Sequence, residues 1–376
     1  MLITVDKETL LKSINIADSI ISSKNINTIL SNCLFNVISD EIEIISMDNE
    51  IAVRTRIDAV SDKAGSFTAN GKKFSILLKE LPNDELVLKI NDKMLIDIKS
   101  KAKEIKGHYS LVGTSADEYP EIPEIVDENS IELDQGVFKE MIKKTIYAAS
   151  TDTIKPVFNG MFFTVNSSGH LTAVATDSRR LSLISRPIDN SIDLGEGIII
   201  PLKTVHEIYR LLENTGTCRF AVNKNQCFFK IGKTEIISRV VDGNFPNYRQ
   251  VIPKEYSLEA VIETKRLLES VRRVMIFSRE PANRIIMNFS ANKLHIEANT
   301  PELGQAEEEI EIETKTAESF TLGINAQFLI DSLREFDSPS LKCGITGQMS
   351  PVSLIPEDDE NFVSVIMPIQ IKSANE

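Results

Sequence analysis

One order of elements recurs three times along the chain, and that recurrence restricts the fold more than any other feature. Each third opens on an amphipathic helix candidate: DKETLLKSINIADSII from Asp6, DQGVFKEMIKKTIYAAS from Asp134, and ETKRLLESVRRVMIFS from Glu263. Asp6 and Asp134 suit N-caps, and apolar residues such as Leu267, Leu268, Val271, Val274 and Met275 recur at helical spacing. A strand pair follows: CLFNVISDEIEIISMD, GMFFTVNSSGHLTAVATD, and IIMNFSANKLHIEAN. Alternating, β-branched segments joined by turn-forming residues predict half-buried antiparallel strands. A further strand then leads into a second helix: SFTANGKKFSILLKEL, GIIIPLKTVHEIYRLLE, and SFTLGINAQFLIDSLREF. Each third ends on more strands.

The period is roughly 125 residues, too long for a solenoid and right for a domain. The expected fold is therefore α+β: three copies of a domain with two helices packed on antiparallel sheet, divided at 1–126, 127–253 and 254–376. EYPEIPEIVDENS, rich in proline and acid, reads as the first linker. No apolar run approaches the ~20 residues of a membrane span, and the N-terminus does not read as a secretory signal. Scattered Cys33, Cys218, Cys227 and Cys343 read as buried free thiols of a reducing cytoplasm.

A net charge of −13 argues against a nucleic-acid binder when taken as a sum. Its distribution argues otherwise, because fields are local. Lys265, Arg272 and Arg279 recur every seven residues, as do Lys72 with Lys79 and Lys203 with Arg210; Lys139 and Lys143 lie four apart. Seven residues are nearly two helical turns, so each set is expected on one helical face. Acid gathers elsewhere, at 117–134, 302–318 and 357–360. Basic helical faces with no tryptophan and few aromatics suit duplex phosphates better than stacked single strands.

ATDSRRL, at 175–181, crowds a hydroxyl, a carboxylate and two guanidinium groups together. No histidine or lysine base is adjacent to Ser178, so a nucleophile there lacks its partner. The chain has no GxxxxGK[ST], no GxGxxG opening a helix, no GxSxG and no HExxH. A metal-dependent nuclease or phosphotransferase built on the acidic clusters is the alternative reading, and a repeat-built scaffold is a third.

AVATDSRRLSLISRPI (173–188) and SRVVDGNFPNYRQVIPK (238–254) resemble segments of the bacterial DNA polymerase III beta subunit, the sliding clamp family. FNGMFF at 158, ANTPELGQAEEEI at 298 and VSVIMPIQI at 363 are similar to that family too, in its order and spacing. The resemblance implies a DNA clamp fold that forms a ring: a head-to-tail homodimer around duplex DNA, with no enzymatic activity and no cofactor. It implies that the basic helices, with Lys24, face DNA without reading sequence. It implies a dimer interface joining Tyr109 and Leu111 to Ile276 and Phe277, with Lys73 facing acids such as Glu307. It implies as partners the replicative polymerase, a clamp loader, and other replication and repair proteins whose short peptides enter a pocket between the second and third domains. That pocket comprises Phe158, Thr176, Ser178, Arg179, Arg180, Leu181, Pro246, Gln250, Val251, Val365, Ile366, Met367, Pro368 and Ile369. The chain departs from the family's usual glycine and histidine at Ser178 and Arg179, and from a usual basic residue at Gln250.

Overall fold

The computed structural model describes residues 1–21, 28–102, 107–122, 129–152, 154–189, 192–314 and 318–371. Among them six α-helices stand: α1 (Lys7–Asp18), α2 (Gly71–Glu80), α3 (Gln135–Ile146), α4 (Leu202–Leu211), α5 (Thr264–Met275) and α6 (Ala326–Leu333). They fall two to each third of the chain, at the places the repeat requires. Asp6 caps α1 by accepting from the Thr9 backbone N–H at 2.8 Å. Asn70 caps α2 and Asn325 caps α6 in the same way.

Each repeat is richer in strands than the sequence reading allowed. A five- or six-residue strand precedes the first helix every time: Leu2–Asp6, Ser130–Asp134 and Leu258–Glu263. Three strands follow that helix, not two. The third member is Ile51–Asp58 in the first repeat, Arg180–Pro187 in the second and Gly304–Glu311 in the third. A last strand closes each repeat: Tyr109–Thr114, Thr234–Arg239 and Phe362–Ile366.

Contacts divide the chain into two compact units, residues 1–135 with 206–240, and residues 136–205 with 241–376. The division cuts through the second repeat because its strands belong to two different sheets. In the first unit a sheet of thirteen strands runs from Ser130–Asp134 at one edge through to the short strand Val60–Ser61 at the other. Its seam is the antiparallel pairing of Thr234–Ser238 with Ile51–Thr55, which joins strands of the second repeat to strands of the first. Against this sheet α1 and α2 bury Leu10, Ile14, Ala17, Phe74 and Leu78. The rings of Phe35 and Phe67 stack at 4.9 Å inside that core.

In the second unit a nine-stranded sheet has the same kind of seam. Phe362–Ile366, which closes the third repeat, pairs antiparallel with Arg180–Ile184 of the second. A separate four-stranded sheet, in the order Gly304–Glu311, Lys293–Thr300, Arg284–Ser290, Phe320–Asn325, completes the unit. Helix α5 turns Leu267, Ser270, Val271 and Val274 inward and Lys265, Arg266, Arg272 and Arg273 outward, a helical period with a clean polar face. Its last turn ends at Met275, with Ile276 as C-cap. Arg279 therefore lies beyond the helix, and the seven-residue spacing from Arg272 does not place it on the helical face.

All four cysteines are free and buried. Burial pushes the thiols of Cys218, Cys227 and Cys343 up to about 12, and that of Cys33 higher still.

Candidate partner-binding cavity

The Thr176 and Asp177 side chains of ATDSRRL are consumed by a turn. Strands His170–Thr176 and Arg180–Pro187 pair antiparallel up to Thr176 opposite Leu181. Between them the Asp177 carboxylate accepts from the backbone N–H groups of Arg179 and Arg180, at 2.9 and 3.0 Å. The Thr176 hydroxyl accepts from Ser178 N–H at 3.1 Å and donates to the Arg180 carbonyl at 2.6 Å. Ser178 sits at φ 76°, the left-handed region, where a side chain costs roughly 1 kcal/mol or more relative to glycine. Asp177 thus builds the turn instead of serving a nucleophile.

Arg180 is locked in place. Its Nε donates to Asp177 at 3.1 Å and a terminal nitrogen donates to Asp331 at 2.6 Å. The guanidinium lies 4.5 Å from the Phe328 ring centroid and 5.6 Å from that of Tyr147. Two carboxylates and two aromatic faces fix a planar cation that a lysine could not replace.

Two further segments close around this turn. The strand ending at Ile366 runs beside Arg180–Ile184, and Met367 N–H donates to the Arg179 carbonyl at 2.8 Å. Residues 241–252 fold across the sheet, anchored by Val241 N–H on the Ile199 carbonyl, with the Phe245 ring stacked 4.7 Å from that of Phe162. Tyr248 packs against both rings. The result is a cavity of about 220 Å³ lined by Phe158, Thr176, Ser178, Arg179, Arg180, Leu181, Phe245, Pro246, Asn247, Tyr248, Val251, Val365 and Met367. Leu181 and Val365 are buried in its floor, while Met367 is 37% exposed at its mouth. An apolar hollow with few oriented polar groups suits an apolar anchor from another molecule.

Ten of the fourteen residues expected in one pocket do line this cavity. Four do not. Ile366 is 1% exposed and points into the core beside Leu267 and Leu354, because side chains alternate along the strand between Val365 and Met367. Ile369 is held elsewhere: its N–H donates to the Gly323 carbonyl at 2.7 Å, which also draws Pro368 away. A Cβ on Gly323 would come within 2.5 Å of the Ile369 carbonyl oxygen, so that crossing needs glycine. Gln250 is exposed and outside the lining. Phe245, Asn247 and Tyr248 went unassigned, although their aromatic pair three apart in NFPNY was the available signal.

The basic candidates are distributed as follows. Lys72 and Lys79 are exposed on α2, Lys265 and Arg272 on α5, and Lys143 on α3; Lys139 and Lys203 are half-buried. Lys143 lies 3.5 Å from Glu335, Lys265 lies 4.0 Å from Glu269, and Arg210 donates to Glu207 at 2.6 Å. Burial pushes the Asp18 carboxyl up, against the opposing pull of Lys72 and Lys79. Lys24 lies outside the described residues. Of the interface candidates, Lys73 and Glu307 are exposed and Tyr109, Leu111 and Phe277 half-buried, while Ile276 is 68% exposed. Val112, at 78%, and Leu303, at 53%, are exposed apolar residues beside them that went unassigned. Among the described residues no group of three or more His, Cys, Asp or Glu side chains could hold a metal ion. None of their helices is long and apolar enough to cross a membrane.

Comparison with known proteins gives one answer over nearly the whole chain. Three family models match in order: DNA polymerase III beta subunit, N-terminal domain at residues 1–123, central domain at 132–247, and C-terminal domain at 249–370. The beta sliding clamp of Halalkalibacterium halodurans is 27% identical over 97% of this chain and 98% of its own length. That of Bacillus subtilis is 26% identical over 98% and 100%. Among solved structures, the DNA polymerase sliding clamp of Bacillus subtilis superposes with a TM-score of 0.93 at 26% identity, covering 99% of this chain and all of that one. The DNA polymerase III subunit beta of Pseudomonas aeruginosa gives 0.92 at 26% identity, with the same coverage. These matches define the class, a three-domain clamp fold in a non-catalytic processivity factor. The chain belongs to the DNA polymerase III beta subunit family, and its function is that of a sliding clamp. The nuclease or phosphotransferase alternative is thereby set aside.

Proposed function

We propose that two copies of this chain close head to tail around duplex DNA and that the 220 Å³ cavity docks short peptides of the replicative polymerase and other replication and repair proteins. The observation that carries the ring is a repeated rule of strand pairing. The last strand of the second repeat pairs with the third sheet strand of the first, and the last strand of the third repeat pairs with the corresponding strand of the second. Applied once more, the rule asks the last strand of the first repeat, Tyr109–Thr114, to pair with Gly304–Glu311 of the third repeat in another copy. Those two strands have the free edges it needs. Among the described residues, Gly304–Glu311 is an edge strand with Lys293–Thr300 as its only partner, and Tyr109–Val112 pairs on one side alone. Exposed Val112 on one strand, with Ile276 and Leu303 beside the other, supplies apolar surface to cover. Such heterologous contacts close into a ring when the rotation between copies permits.

The domains are proposed at 1–126, 127–253 and 254–376. The basic helices are proposed to face DNA through Lys72, Lys79, Lys139, Lys143, Lys203, Arg210, Lys265 and Arg272, with Lys24 and Arg279 as further contacts. Phosphate contacts without base readout permit sliding. A clamp loader must open the ring, and the setting is cytoplasmic. The test is retention on nicked circular DNA after loading. Loss of the protein when the circle is linearised is expected, and equal retention on both forms would refute topological linkage.

A further inference from the structure

We propose that the occupant of the cavity is an acidic segment, with apolar anchors in the hollow and carboxylates flanking them. This rests on the docking reading above and goes beyond it in naming the chemistry of the partner. Three exposed cations stand around the mouth. Lys155 Nζ lies 5.7 Å from the ring centroid of Phe158, and the Arg249 guanidinium lies 5.6 Å from that of Tyr248, both rings belonging to the cavity lining. Arg179 is itself a lining residue, its backbone fixed by the Asp177 turn. None of the three side chains makes an ion pair among the described residues.

The charge is not cancelled from within. No aspartate or glutamate lines the cavity. The neighbouring carboxylates Asp177 and Asp331 are both paired with Arg180, and the trio leaves a single negative charge beside the three exposed cations. In a chain of net charge −13, a mouth ringed by uncommitted cations is a local reversal of sign, and it would attract an acidic segment and reject a basic one. Lys155 and Arg249 rest on aromatic faces, so their charges are held near the rim instead of sweeping freely through solvent.

Fluorescence anisotropy with three synthetic peptides tests the proposal. All carry the same leucine and phenylalanine anchors, and they differ in flanks of glutamate, glutamine or lysine. Exposed charge pairs each shift binding by about two- to threefold, so the glutamate-flanked peptide is expected to bind about tenfold more tightly than the glutamine-flanked one at low salt. The advantage should shrink as salt rises toward ~0.3 M, a readout that needs no variant. The triple variant Lys155→Glu, Arg179→Glu, Arg249→Glu should reverse the order of the three peptides. Equal affinity for all three peptides, each lost in Met367→Ala, overturns the acidic preference while leaving the docking role intact. Failure of every peptide to bind overturns the docking reading and this inference with it. Competition by a short oligonucleotide at the affinity of the glutamate-flanked peptide would assign the rim to nucleic acid and overturn the protein partner.

Discussion

Replacing Arg180 by alanine tests whether the turn at 177–180 and the cavity behind it are held by one cation. The side chain is only 12% exposed, and its partners Asp177 and Asp331 are 17% and 21% exposed. Removing the guanidinium takes the cation from two carboxylates, which keep only the backbone N–H groups of the turn on Asp177 and the Gln327 amide on Asp331, and leaves the rings of Phe328 and Tyr147 without the cation over them. Breaking a buried pair costs about 3–5 kcal/mol, and the fifth of each carboxylate that water still reaches brings the expectation to the lower end, about 3 kcal/mol. Lysine at the same position can reach one carboxylate but not bridge both, so Arg180→Lys should recover about half. Hydrogen exchange followed by mass spectrometry reads this locally. Amides of Arg180–Pro187 and Phe362–Ile366, which pair with each other, should lose about two orders of magnitude of protection in the alanine variant. A loss under about 1 kcal/mol, or full recovery with lysine, would show that the turn and the strand pairing hold without the cation.

Wild-type protein should sediment at twice the chain mass, whereas Val112→Asp, a charge on the proposed pairing edge, should shift it to monomer with the fold unchanged by circular dichroism. Met367→Ala combined with Pro368→Ala should abolish peptide docking and leave the dimer intact; since only Met367 lines the cavity, the single Met367 variant is expected to carry the effect. Lys265→Glu with Arg272→Glu should shorten residence on circular DNA at moderate salt without altering peptide affinity. The buried thiols set a limit at high pH. Their folded values near 12 exceed the unfolded value of about 8.5, so the native state keeps protons that the unfolded chain releases. Stability from this source is complete below pH ~8.5 and falls as pH rises from there toward 12. A thiol reagent should leave all four cysteines unmodified at pH 8 and titrate all four after denaturation.

Much of the fold was legible because it is local. Caps such as Asp6, the spacing of Leu267, Val271 and Val274, and alternation in LTAVAT record which side of an element is buried, and each repeat states this independently. The strands that precede each first helix were missed because five or six residues carry too little periodicity to stand out from a helix start. Arg279 was misplaced for the opposite reason: a seven-residue spacing persisted in sequence past the end of α5.

The sequence by itself determined the threefold plan, the two helices and strand pair of each third, and most of the residues that meet at the cavity. Those follow from short-range periodicity, turn chemistry and the family's motifs. Only the tertiary structure decided which distant strands pair across repeats, that Asp177 and Asp331 share Arg180, that Phe245 and Tyr248 wall the cavity, and that Ile366 and Ile369 turn away from it. The reason is physical. A strand's own pattern fixes its buried face, but its neighbour and its register come from packing against residues far along the chain, where a shift of one position exchanges one face for the other.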